Sequence, residues 1–379
     1  MIYLDNAATT PVHPGVLKAM LPYLEEQYGN PSGIYEFAEK SKEAVDRVRE
    51  IIAASINAKP GEIYFTSGGT ESDNWALAGM AEALSGKGNH IITTAIEHHA
   101  IINTCEYLKQ RGFDITYLDV NKEGIINPKQ LADAVRKDTI LISIMAANNE
   151  IGSIQPLKAI GEIARRNNIC FHTDAVQAYL HMEMDVRKMN IGMMSASAHK
   201  FRGAKGCGFL YIRDGIKPAA FMHGGKQESG IRAGTENVPG IIGMGEAVRI
   251  TIQEMQKNIV YVRNMRDYLL YRIEHEIPGV VLNGPRHMRL PGNLNVSFLG
   301  IEGQSLLIML DMDGICTSSG SACTAGTSGG SHVLKALGAD DGRLKGALRM
   351  TLDTQNTMEE MDYVIWRIKE NVAALRDKS

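Results

Sequence analysis

Apolar residues recur at a helical interval over 36–56, at Phe37, Ala44, Val48, Ile51 and Ile52, and the spacing predicts a helix there. Downstream, short apolar runs alternate with amphipathic stretches. Runs at 62–65 (EIYF), 90–95 (HIITTA), 114–120 (DITYLDV), 139–146 (TILISIMA), 169–173 (ICFHT), 192–197 (GMMSAS) and 207–213 (CGFLYIR) predict strands; 72–84 and 156–168 predict helices. Several runs are apolar throughout rather than at every second position, as strands covered on both faces require. The pattern predicts an α/β fold: a large, mostly parallel sheet domain over 13–254 with helices on both faces. From residue 255 the texture changes to a long charged helix, the strand NLNVSF, a Gly/Ser-rich loop and a final amphipathic helix. Residues 1–12 and 255–379 are expected to form a smaller α+β domain.

Composition narrows the function. The 379 residues are 44% hydrophobic and 22% charged, with a formal net charge of −3 at pH 7. That balance gives no electrostatic case for nucleic acid or an anionic membrane surface. No run of about 18 apolar residues exists, so no membrane span is expected, and MIYLDNAATT lacks the features of a signal peptide. Five cysteines, odd in number and without a CxxC pair, point to a reducing cytoplasm rather than a disulfide framework or zinc cage. Cys105, Cys170, Cys207 and Cys316 lie in apolar helix- or strand-like contexts and are expected to pack as small hydrophobes. Cys323 is different. It sits in SSGSACTAGTSGGSH (318–332), among residues that cannot pack a core.

In open parallel sheets, ligands bind beyond the carboxyl ends of the strands. After EIYF comes TSGGTES, a glycine turn entering a helix, where Gly69, Thr70 and free N–H groups suit a phosphate. It has no GK[ST], so it is not a Walker loop. After HIITTA come His98 and His99, too close for a zinc-helix pair, so no metal site is expected. Asn148, Asn149 and Glu150 follow the next strand, and Asp174 and Gln177 the one after. Ser197, His199 and Lys200 follow GMMSAS. Taken singly, each has a plain explanation as a turn, a cap or a solvated lysine. Together they supply an anion cradle, an imidazole, an amide, a carboxylate and an amine, the set that pyridoxal 5'-phosphate needs.

The motifs YLDNAATT, TSGGTESDN, EHHA, ANNEIG, HTDAVQA, SAHKFRGAKG, GIRAGTENVP and SGSACT…SHVLKALG together resemble the cysteine desulfurases of the NifS/IscS-like type. These are fold-type-I pyridoxal phosphate enzymes of the class-V aminotransferase group. The resemblance implies that Lys200 carries the cofactor as a Schiff base, that His98 stacks on its ring and helps move protons, and that Asp174 pairs with the pyridinium nitrogen. It places Asn149 and Gln177 near the ring substituents, with Gly69, Thr70, Ser197 and His199 at the phosphate. Thr235 resembles a phosphate contact given by the partner subunit, which implies a homodimer. Arg349, with Asn149, would hold the substrate carboxylate. Cys323 would take sulfur from L-cysteine as a persulfide, leaving alanine, and hand it to an acceptor such as an iron–sulfur scaffold. The same resemblance leaves open a selenocysteine lyase, an aminotransferase or a non-catalytic binding protein of this fold.

Four positions depart from the usual pattern: Tyr35, Ala204, Lys226 and Asp353. Asp353 stands just after Arg349, where its carboxylate is expected to pair with that arginine or repel a substrate carboxylate. The glycines at 329 and 330 are expected to loosen the Cys323 loop, letting the thiol move between cofactor and partner.

Overall fold

A computed structural model describes residues 1–319 and 330–377, so the expectations attached to Cys323 and its loop lie outside the described residues. β1 (Ile2–Tyr3) is followed by α1 (Pro14–Glu25) and α2 (Glu36–Ser55). The alternating region runs β2 (Ile63–Thr66), α3 (Gly69–Leu84), β3 (His90–Thr94), α4 (His99–Lys109), β4 (Asp114–Leu118) and α5 (Pro128–Ala134). It continues with β5 (Thr139–Ser143), α6 (Leu157–Arg166), β6 (Cys170–Asp174), β7 (Met193–Ser197) and β8 (Gly208–Ile212). A 39-residue helix, α7 (Val238–Glu276), leads to β9 (Val280–Leu282), β10 (Asn293–Phe298), α8 (Gly303–Met312) and β11 (Ile315–Cys316). α9 (His332–Ala336), α10 (Asp341–Lys345), β12 (Ala347–Thr351) and α11 (Met358–Arg376) complete the chain.

Seven strands form one sheet in the order β2-β8-β7-β6-β5-β3-β4, in which only β8 runs against its neighbours. This is the mixed, mostly parallel sheet that the apolar runs predict. β3, β5 and β7 are buried at every residue because helices cover both faces. On one face, Trp75, Leu77 and Met80 of α3 pack with Ile101 and Cys105 of α4. On the other, α2, α6 and the first part of α7 bury Val48, Ile52, Ile160, Ile241 and Met244. A separate core joins the end of α7 to the antiparallel sheet β12-β10-β9 and to α8 and α11, through Leu269, Val296, Leu306, Leu348 and Ile365. Cys105 and Cys207 are buried, while Cys170 and Cys316 are only partly so.

Two boundaries differ from the sequence pattern, and glycine explains both. α3 starts at Gly69, three residues before the predicted 72, because Gly68 holds a φ of 150° that lets the chain turn directly into the helix. α7 starts at Val238, well before the charged stretch that announces it. Its first turns carry Gly240, Gly243 and Gly245, which dilute the apolar period. A Cβ on Gly245 would come within 2.5 Å of Val48, and one on Gly243 within 2.7 Å of Met20. The small residues let α7 lie close against α1 and α2. Residue 255 therefore falls inside one continuous helix.

Candidate active site

β2, β7, β6, β5 and β3 all point their carboxyl ends to the same edge of the sheet. The residues that follow them line one cavity of about 280 Å³: Gly69, Thr70, His98, Asn149, Asp174, Gln177, Ser197, His199, Lys200 and, from β12, Arg349. Residues as far as 280 apart in sequence meet there because the sheet brings their strand ends side by side. Thr235 is not among them. It is exposed and lines a different depression, with Arg232, Glu236 and Asn237.

The anion cradle is built by close approach. Gly68 caps α3, and a Cβ on Gly69 would lie 2.5 Å from Val176. Only a glycine lets the start of α3 sit this near β6 and Ser197. The first residues of a 16-residue helix, Gly69 and Thr70, line the cavity beside Ser197 and His199, and a helix N-terminus favours an anion.

Lys200 follows β7 on a single tight turn, Ala198–Lys200. Its Nζ donates to the carbonyls of Ala7 and Ala8 at 2.6 and 2.8 Å, and Gln177 Nε2 donates to the same Ala7 carbonyl at 2.9 Å. The N-terminal segment is pinned across this site: Thr10 donates from its hydroxyl to the His199 carbonyl at 2.9 Å and Thr9 Oγ1 meets His199 Nδ1 at 3.1 Å. These carbonyls, some 190 residues away in sequence, were invisible to any local pattern.

Asp174 ends β6, almost wholly buried, with one carboxylate oxygen accepting the Val176 N–H at 2.9 Å. Burial raises its pKa, and His98 and Lys200 oppose that rise. His98 caps α4: its Nδ1 accepts the Ala100 N–H at 3.1 Å, which leaves the proton of the neutral ring on Nε2. Burial lowers the His98 pKa, so the ring is held neutral, although Asp174 works against this. Behind them stand two acids that strand-end reading passed over. Asp73, on α3, lines the same cavity; burial and the nearby Asp174 push its pKa well up, and its Oδ1 lies 3.7 Å from His172 Nε2 without a hydrogen bond among the described residues. Glu97 accepts from Thr94 Oγ1 at 2.7 Å and from Met145 N–H at 3.0 Å, and burial pushes it up to about 8.

Arg349 corrects one expectation. Asp353 does not pair with it; the partner is Asp5, whose Oδ1 accepts from Nη2 at 2.7 Å. Nη1 donates to the Asn149 carbonyl at 3.1 Å, while the buried Nε has no partner among the described residues. Asp353 lies past the end of β12, where the chain turns its carboxylate toward Arg202, 3.9 Å away. The sequence signal for Asp5 is its place in YLDNAATT, but nothing local links it to an arginine on β12.

The donor set fits pyridoxal phosphate: a cradle a Cβ would fill, a buried carboxylate, a neutral imidazole, an amide and an amine around one cavity. No group of three or more metal-ligating side chains occurs among the described residues, nor is any described helix long and apolar enough to cross a membrane.

Comparison with known proteins agrees with this geometry. Residues 2–364 match the model of the aminotransferase class-V family. A cysteine desulfurase IscS of Methanosarcina thermophila is 51% identical over 378 residues, covering all of this chain and 93% of the relative. A cysteine desulfurase IscS of Clostridium botulinum is 48% identical, covering all of this chain and 96% of the relative. Among solved structures, a NifS-like protein superimposes with a TM-score of 0.93 at 38% identity, covering 99% of this chain and all of the other. SspA in complex with cysteine gives a TM-score of 0.85 at 36% identity, covering 94% of this chain and all of the other. The chain belongs to the class-V aminotransferase family, among its pyridoxal phosphate-dependent cysteine desulfurases.

Proposed function

We propose that this enzyme moves the sulfur of L-cysteine onto Cys323, releases L-alanine, and passes the persulfide sulfur to an acceptor protein that builds iron–sulfur clusters. The carrying observation is where the Cys323 segment begins and ends. Ser318 exchanges backbone hydrogen bonds with Arg349, at 2.6 and 3.1 Å. On the far side, Ser331 Oγ donates to Glu150 at 2.5 Å and His332 Nε2 lies 2.9 Å from the Glu97 carbonyl, next to His98. Both ends of the segment are thus tied to the rim of the Lys200 cavity.

Pyridoxal phosphate, when bound, supplies an electron sink that makes a carbon acid of the bound amino acid. The chain's own residues do the rest. Gly69, Thr70, Ser197 and His199 would hold the phosphate, and Asp174 would keep a proton on the ring nitrogen. His98 offers its Nε2–H. Lys200, released from its covalent role, accepts the substrate's α-proton at Nζ and returns protons to the product. Arg349 and Asn149 hold the substrate carboxylate. The thiolate of Cys323 then attacks the substrate sulfur: an S–S bond forms, the C–S bond breaks, and the electron pair stays with the carbon, which takes up a proton. One thiol and one cysteine give one persulfide and one alanine.

In the same reading, residues 13–254 form the cofactor-binding unit and residues 1–12 with 255–379 the smaller one, α7 running continuously from one to the other. Thr235, exposed in a single chain, serves the phosphate of a second copy in a homodimer. The setting is the cytoplasm. Replacing Cys323 by Ser tests the proposal: the holoenzyme keeps its yellow colour and loses alanine formation from L-cysteine. Undiminished alanine formation with a reductant present would refute the role of Cys323.

A further inference from the structure

A second cavity lies against Lys200. Lys200 and Gln177 line both it and the cavity described above, and among the described residues no other is shared between the two. Its walls come from the N-terminal segment, α7, residues 290–293, the end of β12 and the turns after β6 and β7; its polar lining includes His181, Arg202 and Asp353. Each of these three presents a buried atom with no partner among the described residues: His181 Nδ1, Arg202 Nε and Asp353 Oδ2. Arg202 Nε and Asp353 Oδ2 are 3.9 Å apart, too far for a hydrogen bond. Asn6 Oδ1 and Thr351 Oγ1, on the same walls, also lack a hydrogen bond among the described residues. Buried polar atoms are almost always satisfied, so five orphans around one void call for water. The void, about 90 Å³, has room for several molecules. Glu254 at its rim is exposed, so the void reaches the surface along α7.

The backbone here is held under strain. Arg202 sits at a φ of 68°, a conformation costly for a residue with a side chain, and its N–H is fastened to Thr10 Oγ1 at 2.8 Å. That conformation sets Arg202 opposite Asp353 and beside Lys200.

We propose that this second cavity is a water-filled proton route to Lys200, with Asp353 and His181 as the groups that pass protons between solvent and the amine. The inference rests on the desulfurase reading in one respect: replacing a C–S bond by a C–H bond requires a proton at the product carbon, while the proton of the Cys323 thiol is released elsewhere. No net proton is consumed, so the two positions must exchange protons through solvent, and a route behind Lys200 allows this without opening the cofactor side. His181 is suited to the task. Burial lowers its pKa, whereas Asp353 and the carbonyls of Gln177 and Tyr179 raise it and Lys200 lowers it further. The other charged or titratable groups on the walls are Arg202, Glu254 and His13, whose Nδ1 already accepts the Gly15 N–H at 3.0 Å.

Asp353→Asn tests the route while keeping the fold, because an asparagine oxygen can still accept the Thr354 N–H that Asp353 Oδ1 holds at 2.7 Å. Two reactions of the holoenzyme are followed: alanine formation from L-cysteine, and exchange of the α-hydrogen of L-alanine in deuterium oxide, which does not need Cys323. In Asp353→Asn and in His181→Gln, exchange is expected to slow roughly tenfold and to recover as a small buffer acid such as imidazole is added at constant pH, while the wild type is insensitive to buffer. Nitrogen NMR of His181 is expected to show a lower ring pKa in Asp353→Asn. Exchange at the wild-type rate with no buffer response, or an unmoved His181 titration, would overturn the route. Wild-type exchange without alanine formation from L-cysteine would instead refute the desulfurase reading and leave the route standing on its own result.

Discussion

The two cavities that meet at Lys200 differ in how firmly their polar groups are held. In the first, the groups that would meet cofactor and substrate are anchored, Lys200 on two carbonyls, Gln177 on Ala7, His98 on Ala100, Asp174 on Val176 and Arg349 on Asp5, while Asp73 Oδ1 and Arg349 Nε lack a hydrogen bond among the described residues. In the second, Asn6, His181, Arg202, Thr351 and Asp353 each leave an atom without a hydrogen bond among the described residues. Anchored groups keep a fixed orientation, which suits binding and positioning. Unsatisfied ones recruit water, which suits proton traffic. Lys200, standing in the wall between them, can serve both needs.

Substitutions can break that comparison in order of effect. Lys200→Ala removes the group common to both cavities; turnover is expected to fall by more than about 10³-fold, and borohydride no longer fixes the cofactor to the chain. Arg349→Lys touches only the first cavity. It loses the two-pronged hold on a carboxylate while keeping the charge, so KM for L-cysteine should rise about tenfold with a smaller change in kcat. Asp353→Asn touches only the second and should leave that KM unchanged while producing the buffer-dependent rate described above. If Asp353→Asn raised KM as Arg349→Lys does, the division of labour between the cavities would be wrong.

The smallest effect concerns the wall behind the first cavity. Glu97 is buried with its pKa raised from 4.5 to about 8, so the folded chain binds this proton more tightly than the unfolded chain. Its contribution to stability is fully present below the unfolded pKa and is lost as pH rises toward and through 8. Glu97→Gln keeps a neutral hydrogen-bonding group there. Thermal melts should show the wild type losing roughly 5 °C between mildly acidic and mildly alkaline buffer relative to the variant. A parallel pH dependence in both proteins would place the charge elsewhere.

Much of the first cavity was legible because its residues follow apolar strands. A strand buried on both faces reads as an uninterrupted run, and the first polar residue after it marks the edge of the sheet. Asp174, Ser197 and His98 were found this way. Asp73 was not, since it lies inside α3 on the helix face turned to the cavity and looks like any helical polar residue. Asp5 and the Ala7 and Ala8 carbonyls come from a segment that crosses to β12 and Lys200 by tertiary folding alone. The start of α7 was hidden by the glycines that allow its close packing. Asp353 was noticed for its charge, yet a neighbour in sequence, Arg349, was the wrong partner. The backbone turn after β12 decided for Arg202.

Mass analysis of the peptide containing Cys323, taken after brief incubation of the holoenzyme with L-cysteine and without reductant, bears most directly on the central claim. One added sulfur atom on Cys323, formed in step with one molecule of alanine, is the expected result. Alanine formed with Cys323 unmodified, or sulfur found on Cys316 instead, would contradict it.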